Sequence, residues 1–276
     1  MPDYELLTMM LSALRWRQNN GTITMVTDSA GAAFFRRAGL ERLWSAPIDT
    51  RLDDMDARLD PRRFWAAGKL WALRGERTPC VMLDTDAIVW QPLDARLGSA
   101  VVAAHREALN PAVYPEPHAA FVFAEGYAFP AAWDFTRPAA NTAFLYLPDE
   151  GFKTRYVDAA FAFMYALENE TDPTVSMCFA EQRILPMCAA AEGVALETLL
   201  DEQALDEQSL LTHLWGHKRV LETDAEQRLE YCLRCTAQLL SAYPDWADTL
   251  SANAATRRYW QELQLGTAQR PSARNA

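Results

Sequence analysis

The chain has 276 residues, 50% of them hydrophobic, and a formal net charge of −11. That size and apolar content suit one large domain or a domain with a helical appendage, and the acidic balance excludes a general field for nucleic acid or anionic membranes. No apolar run approaches the roughly 20 residues that cross a bilayer, the N-terminus reads as no signal peptide, and five cysteines without framework spacing fit a reducing cytoplasm.

Leu6, Leu7, Met10, Leu11 and Leu14 recur at helical spacing and predict an amphipathic first helix. Residues 22–27 are β-rich and end in the turn Asp28-Ser29-Ala30-Gly31, which predicts a strand. AAFFRRAGL predicts a short helix closed by Gly39. Residues 45–61 read as loop, and PRRFWAAGKLWALRGE as a helix with Pro61 near its first position and Phe64, Leu70, Trp71 and Leu73 as apolar content. The run VMLDTDAIVW, residues 81–90, follows; it reads as a buried strand, yet contains Asp84 and Asp86.

SAVVAA, HAAFVFAE and NTAFLYLPD are further strand candidates. GFKTRYVDAAFAFMYALENE and VSMCFAEQRILPMCAAAEG predict helices, VALETLL a short strand, and the segments near 223–242 and 252–263 two more helices, with a frayed tail from about residue 265. Alternating helix and strand predict an α/β/α sandwich with a mostly parallel central sheet over residues 1–220. Residues 221–276 are expected to form a helical extension packed on it. In such sheets ligands collect beyond the carboxyl ends of the strands, and a strand ending at CVML would put both aspartates there.

Two carboxylates at i and i+2 can approach one cation from a turning strand end. A hard divalent ion takes oxygen ligands, keeps other positions for water and phosphate, and cancels the repulsion between the carboxylates. Asp-x-Asp alone is a weak signal, a solvated turn being its commoner meaning. Here it sits in a longer pattern: helix FWAAGKLWALRG, turn ERTP, apolar strand, DTD, then AIVWQPLD. That pattern resembles the nucleotide-sugar glycosyltransferases of the GT-A fold, in particular the glycogenin and bacterial galactosyltransferase group and related uncharacterised bacterial proteins, over residues 20 to 220 or so.

The resemblance implies a Rossmann-like GT-A domain in which Asp84 and Asp86 hold Mn²⁺ or Mg²⁺ on the diphosphate of a nucleotide sugar, a UDP-sugar first among them. Lys69 stands where that group carries a basic residue near the donor. THLWGHKR resembles the group's late His-x-x-Gly-x-x-Lys segment, one residue shorter and with Arg219 in place of proline. It implies His213 as third metal ligand and Gly216, Lys218 and Arg219 at the diphosphate. NTAFLYL would supply Asn141 facing the sugar, and CFAEQRIL would bring Glu181 and Gln182 near the reaction centre. The strand that opens such domains and helps hold the base is not matched, so Asp28 in VTDSAG is the local candidate for that role.

The implied activity is metal-dependent, hexosyltransferase-like sugar transfer to a glycan, peptide or small-molecule acceptor. Two other readings stay open. A nucleotidyltransferase would share the metal and carboxylates but needs a Gly-rich basic loop that this sequence lacks. A non-catalytic sugar- or partner-binding protein could share the fold. His213, His217, Cys232 and Cys235 can be written as a zinc set, although small buried cysteines are the commoner explanation. Tyr114, Tyr127, Phe129, Trp133 and Phe135 could form an acceptor platform or pack into the core. Glu107, Glu116, Glu125 and Asp134 are acid/base candidates that spacing does not separate. No Gly-x-Ser-x-Gly, phosphate loop or dinucleotide fingerprint occurs.

Overall fold

The structure is a computed structural model and describes residues 1–170, 172–201 and 209–268. Helix α1 (Asp3–Asn19) forms where predicted but is not amphipathic: Thr8, Met9, Ser12 and Ala13 are buried along with the leucines. Its two buried hydroxyls are satisfied, Thr8 Oγ1 donating to the Tyr4 carbonyl and Ser12 Oγ to the Ala87 carbonyl, both at 2.6 Å. Helix α2 (Ser29–Arg37) is capped by Asp28, whose Oδ1 accepts from the Gly31 N–H, and ends before Gly39 at φ +69°.

The strand expected over 22–27 is absent. That segment makes one parallel bridge, Val26 with Asp49, and its hydrogen bonds go to the loop at 45–52. Helix α3 (Ala67–Gly75) starts later than predicted. Asp60 takes the Arg62 N–H on its side chain and the Phe64 N–H on its carbonyl, so the residues after Pro61 close into turns first.

The run containing the aspartates is two strands, β1 (Cys80–Leu83) and β2 (Ala87–Val89), which enter different sheets. Then come β3 (Val101–Glu107), a short helix α4 (Pro117–Ala120), β4 (Phe121–Phe123) and β5 (Ala139–Leu147), the last buried at every residue. Helix α5 (Glu150–Ala166) and β6 (Leu167–Glu170) follow. The helix predicted over 175–193 is broken into α6 (Pro173–Cys178), a π-helical turn at Phe179–Arg183 and α7 (Ile184–Ala191). Pro186 accounts for the break: it has no N–H, and its ring would press on the Gln182 carbonyl in a regular helix. Strand β7 (Leu196–Thr198) completes the central sheet.

The sheet order is β1-β5-β3-β7. β5 is antiparallel to both neighbours, and β3 with β7 is the one parallel pair of this sheet among the described residues. The expectation of a mostly parallel sheet is therefore corrected to a mixed α/β fold. It rested on the alternation of helix and strand, and the strand expected at 22–27 does not form. One face of the sheet carries α3, α5 and α7, with Leu70, Phe152, Tyr156 and Leu185 in its core. The other face, through Val102, Ala104, Ala143 and Phe144, packs on β2 and its partner β8 (Leu211–His213).

Helices α8 (Lys218–Thr223), α9 (Ala225–Ala242), α10 (Ala247–Ala252) and α11 (Arg257–Ala268) end the described chain. The expected tail falls mostly outside the described residues. Leu7, Met10 and Leu14 of α1 share a core with Tyr231, Cys232, Leu239 and Tyr259. No helix among the described residues is long and apolar enough to cross a membrane.

Candidate metal centre

The split between β1 and β2 creates the site. Pairing of β1 with β5 runs on through the Asp84 N–H to the Ala143 carbonyl at 2.8 Å, and the Ala87 N–H closes a turn back onto the Asp84 carbonyl at 3.0 Å. Both aspartates thus lie beyond the carboxyl end of β1, as the sequence predicted. β2 then pairs antiparallel with β8 in a register that sets Ala87 opposite His213, and the Leu214 N–H bonds the Asp86 carbonyl at 3.1 Å. That pairing brings a residue from far along the chain to the aspartates. His213 Nε2 lies 3.6 Å from Asp86 Oδ2 and 3.9 Å from Asp84 Oδ2.

Each of the three side chains offers one ligand atom, and these atoms lie within 4.8 Å of one another. Ligands of one divalent ion at bond lengths of about 2.2 Å are spaced on this scale. Two carboxylate oxygens suit Mg²⁺ or Mn²⁺, and the imidazole nitrogen favours Mn²⁺ between them. The donor set therefore fits the implied metal. No other group of three or more such residues occurs among the described residues.

Cationic side chains surround the carboxylates. Lys69 Nζ, from α3, lies 2.6 Å from Asp84 Oδ1 and also pairs with Glu181 Oε1. Thr142 Oγ1 donates to that same Glu181 oxygen at 2.6 Å. Lys218 Nζ lies 2.8 Å from Asp86 Oδ2. Burial alone would lower the Lys69 pKa, but Asp84 and Glu181 outweigh it and hold the ammonium charged. For His213 burial wins: its pKa is lowered although Asp86 and Asp84 pull it up, and Lys69 and Lys218 add to the lowering. The imidazole is then neutral near pH 7, the form that binds metal.

The structure thus gathers Lys69, Asp84, Asp86, Glu181, His213 and Lys218. Other expected residues lie elsewhere or are engaged. Asp28 is exposed and serves as the N-cap of α2. Gly216 and Arg219 are exposed, and no contact ties Arg219 to the carboxylates among the described residues. Asn141 is buried, donating to Glu107 Oε1 at 2.7 Å and accepting from the Ala143 N–H. Gln182 meets the Tyr114 hydroxyl at 2.5 Å. The aromatic platform is corrected to core packing: Trp133 is buried, with Tyr127, Phe129 and Phe135 against the same cluster. Cys232 and Cys235 are buried in the helical core, and His217 is exposed, so the zinc set does not assemble. Sequence reasoning missed Thr142 and left Glu107 unranked. Pro186 inside a helical pattern was the available signal that the helix opens at Glu181 and Gln182.

Residues 1–252 match DUF6734, a family of unknown function, and the chain belongs to that family. No curated protein and no solved structure matches it.

Proposed function

We propose that this member of the DUF6734 family is a metal-dependent glycosyltransferase that draws its sugar from a nucleotide-diphosphate donor, a UDP-sugar first. The observation that carries the reading is the convergence of Asp84, Asp86 and His213 within 4.8 Å, with Lys69 and Lys218 on the same carboxylates. The mixed sheet supports an α/β fold only; the site carries the function.

A bound Mn²⁺ or Mg²⁺ would supply Lewis-acid neutralisation of a departing diphosphate. Asp84, Asp86 and His213 would hold it. Three carboxylates, Asp84, Asp86 and Glu181, face two ammonium groups. A divalent ion would turn that near-balance positive, which suits an anionic group on the ligand. Lys69 and Lys218, released from the aspartates, would then be free to donate to phosphate oxygens. The five unpaired cysteines accord with a reducing compartment such as the cytoplasm.

The test is a thermal-shift screen of nucleotide sugars with and without Mn²⁺, followed by donor hydrolysis. A ligand at 100 times its dissociation constant adds about 2.7 kcal/mol, so binding is readily seen. The expected result is Mn²⁺-dependent stabilisation by a UDP-sugar and slow release of free sugar. Binding without turnover would favour the non-catalytic reading. Pyrophosphate release from a nucleoside triphosphate would favour a nucleotidyltransferase, and no response to any donor would end the proposal.

A further inference from the structure

Beside the metal cluster runs a second polar network whose hydrogen-bond directions are forced from one end. The Ala143 N–H donates to Asn141 Oδ1 at 3.0 Å, which fixes that amide and turns its Nδ2 onto Glu107 Oε1 at 2.7 Å. The other Glu107 oxygen lies 2.6 Å from the Tyr114 hydroxyl, and the same hydroxyl lies 2.5 Å from the position assigned to Gln182 Oε1, so both contacts call on Tyr114 as donor. Tyr114 has one proton. Glu107, already an acceptor from Asn141, takes it, so the Tyr114 oxygen must itself accept from Gln182. An amide's O and N positions are interchangeable in shape and are told apart by their partners. Gln182 therefore presents Nε2 to Tyr114 and its carbonyl oxygen to the opposite side.

That opposite side has no protein partner among the described residues and is not sealed from solvent. Gln182 follows Glu181 in the π-helical turn, and Glu181 shares Lys69 with Asp84. We propose that Glu107 and Tyr114 are positioning residues: they lock the Gln182 amide with its carbonyl oxygen outward, making position 182 a hydrogen-bond acceptor for a hydroxyl of the bound ligand. The ligand-facing half rests on the function proposed above; the orientation itself does not.

Glu107→Gln is an isosteric test that reverses the relay. Asn141 still donates, so the introduced amide turns its oxygen to Asn141 and its NH₂ to Tyr114. The Tyr114 proton then points at Gln182, which must accept, and Gln182 Nε2 swings outward. The first readout is hydrogen exchange of the Gln182 side-chain NH₂ by NMR, assigned by its loss in Gln182→Glu. Protection in the wild type that disappears in Glu107→Gln is the expected result. An NH₂ exchanging freely in the wild type, or equally protected in the variant, overturns the proposal. The second readout is Mn²⁺-dependent UDP-sugar hydrolysis. An outward donor in place of an acceptor should lower kcat by about tenfold or more, with Mn²⁺ affinity unchanged, and Tyr114→Phe, which permits both orientations, should fall between. Equal kcat in wild type and Glu107→Gln would overturn the ligand-facing role. If the wild type hydrolyses no donor, the function has failed while the exchange result still decides the orientation.

Discussion

Lys69 and Lys218 sit on the carboxylates that a divalent ion needs, at 2.6 Å from Asp84 and 2.8 Å from Asp86, so metal must displace an internal counter-ion to bind. In the Lys218–Asp86 pair the ammonium is partly exposed although the carboxylate is buried, and solvent screening holds such a pair to about 1 kcal/mol. Lys218→Met should therefore bind Mn²⁺ alone slightly more tightly, by up to about fivefold, and lose the gain in Mn²⁺ affinity that pyrophosphate gives the wild type. Calorimetric titration with and without pyrophosphate measures both, and weaker binding of the bare metal would refute the competition. His213 adds a pH dependence. Burial lowers its pKa from the ordinary histidine value near 6.5, so the unfolded chain takes up this proton more readily than the folded one. Its contribution to stability is fully present above about pH 6.5 and is lost as pH falls through the folded value. Mn²⁺ affinity should hold at pH 6.5 and fade below it, and His213→Ala should bind weakly with a flat profile. A wild-type affinity that falls already between pH 8 and 7 would count against the imidazole as ligand.

Single elements explain which parts of the site could be read in advance. The aspartates were legible because a local pattern, an apolar strand ending in Asp-x-Asp, encodes them, and β1 does end there. His213 was legible by resemblance alone, since its position depends on pairing between β2 and β8, strands far apart in sequence. The burial of Asn141 against Glu107 was not legible, because it depends on the β3–β5 register, which no single segment contains. The π-helical turn is a middle case. It faces Glu181 toward Lys69 and Thr142, and Pro186 announces it in the sequence. Pro186→Ala restores the missing N–H and removes the ring, allowing the turn to tighten to α geometry and Glu181 to rotate off Lys69. The expected outcome is a several-fold drop in Mn²⁺-dependent donor hydrolysis with no loss of melting temperature. Wild-type turnover would show that packing, and not the proline, holds the turn open.

At the scale of the whole molecule, helices and their order were largely legible, while sheet direction was not. Periodicity reports local amphipathicity, but strand direction is decided by which non-local partner is available, and residues 22–27 found only a loop. Even α1 misled: its polar residues are buried because they bond internally, as Thr8 does with Tyr4 and Tyr231. Asp3 fastens this helix to the C-terminal ones. Its carboxylate accepts from Arg228 and Arg258 at 2.7 Å each and from the Tyr259 hydroxyl at 2.5 Å. Burial pushes the Asp3 pKa up, but the bonds from Tyr259, Arg228 and the Tyr4 N–H outweigh it, and the net shift is downward. The carboxylate therefore contributes stability above its unfolded value near 3.9, and that contribution is lost as pH falls through the lower folded value. Arg258 is largely exposed, so its share is screened, and Asp3→Asn should cost about 2 kcal/mol at pH 7. Denaturation of wild type and variant across pH should show the gap narrowing once pH falls below the unfolded value near 3.9. Because the clamp shares no side chain with the metal cluster, Mn²⁺ affinity in Asp3→Asn should match the wild type once both are folded; a large change would mean that the α1–α9–α11 core sets the β2–β8 pairing that positions His213.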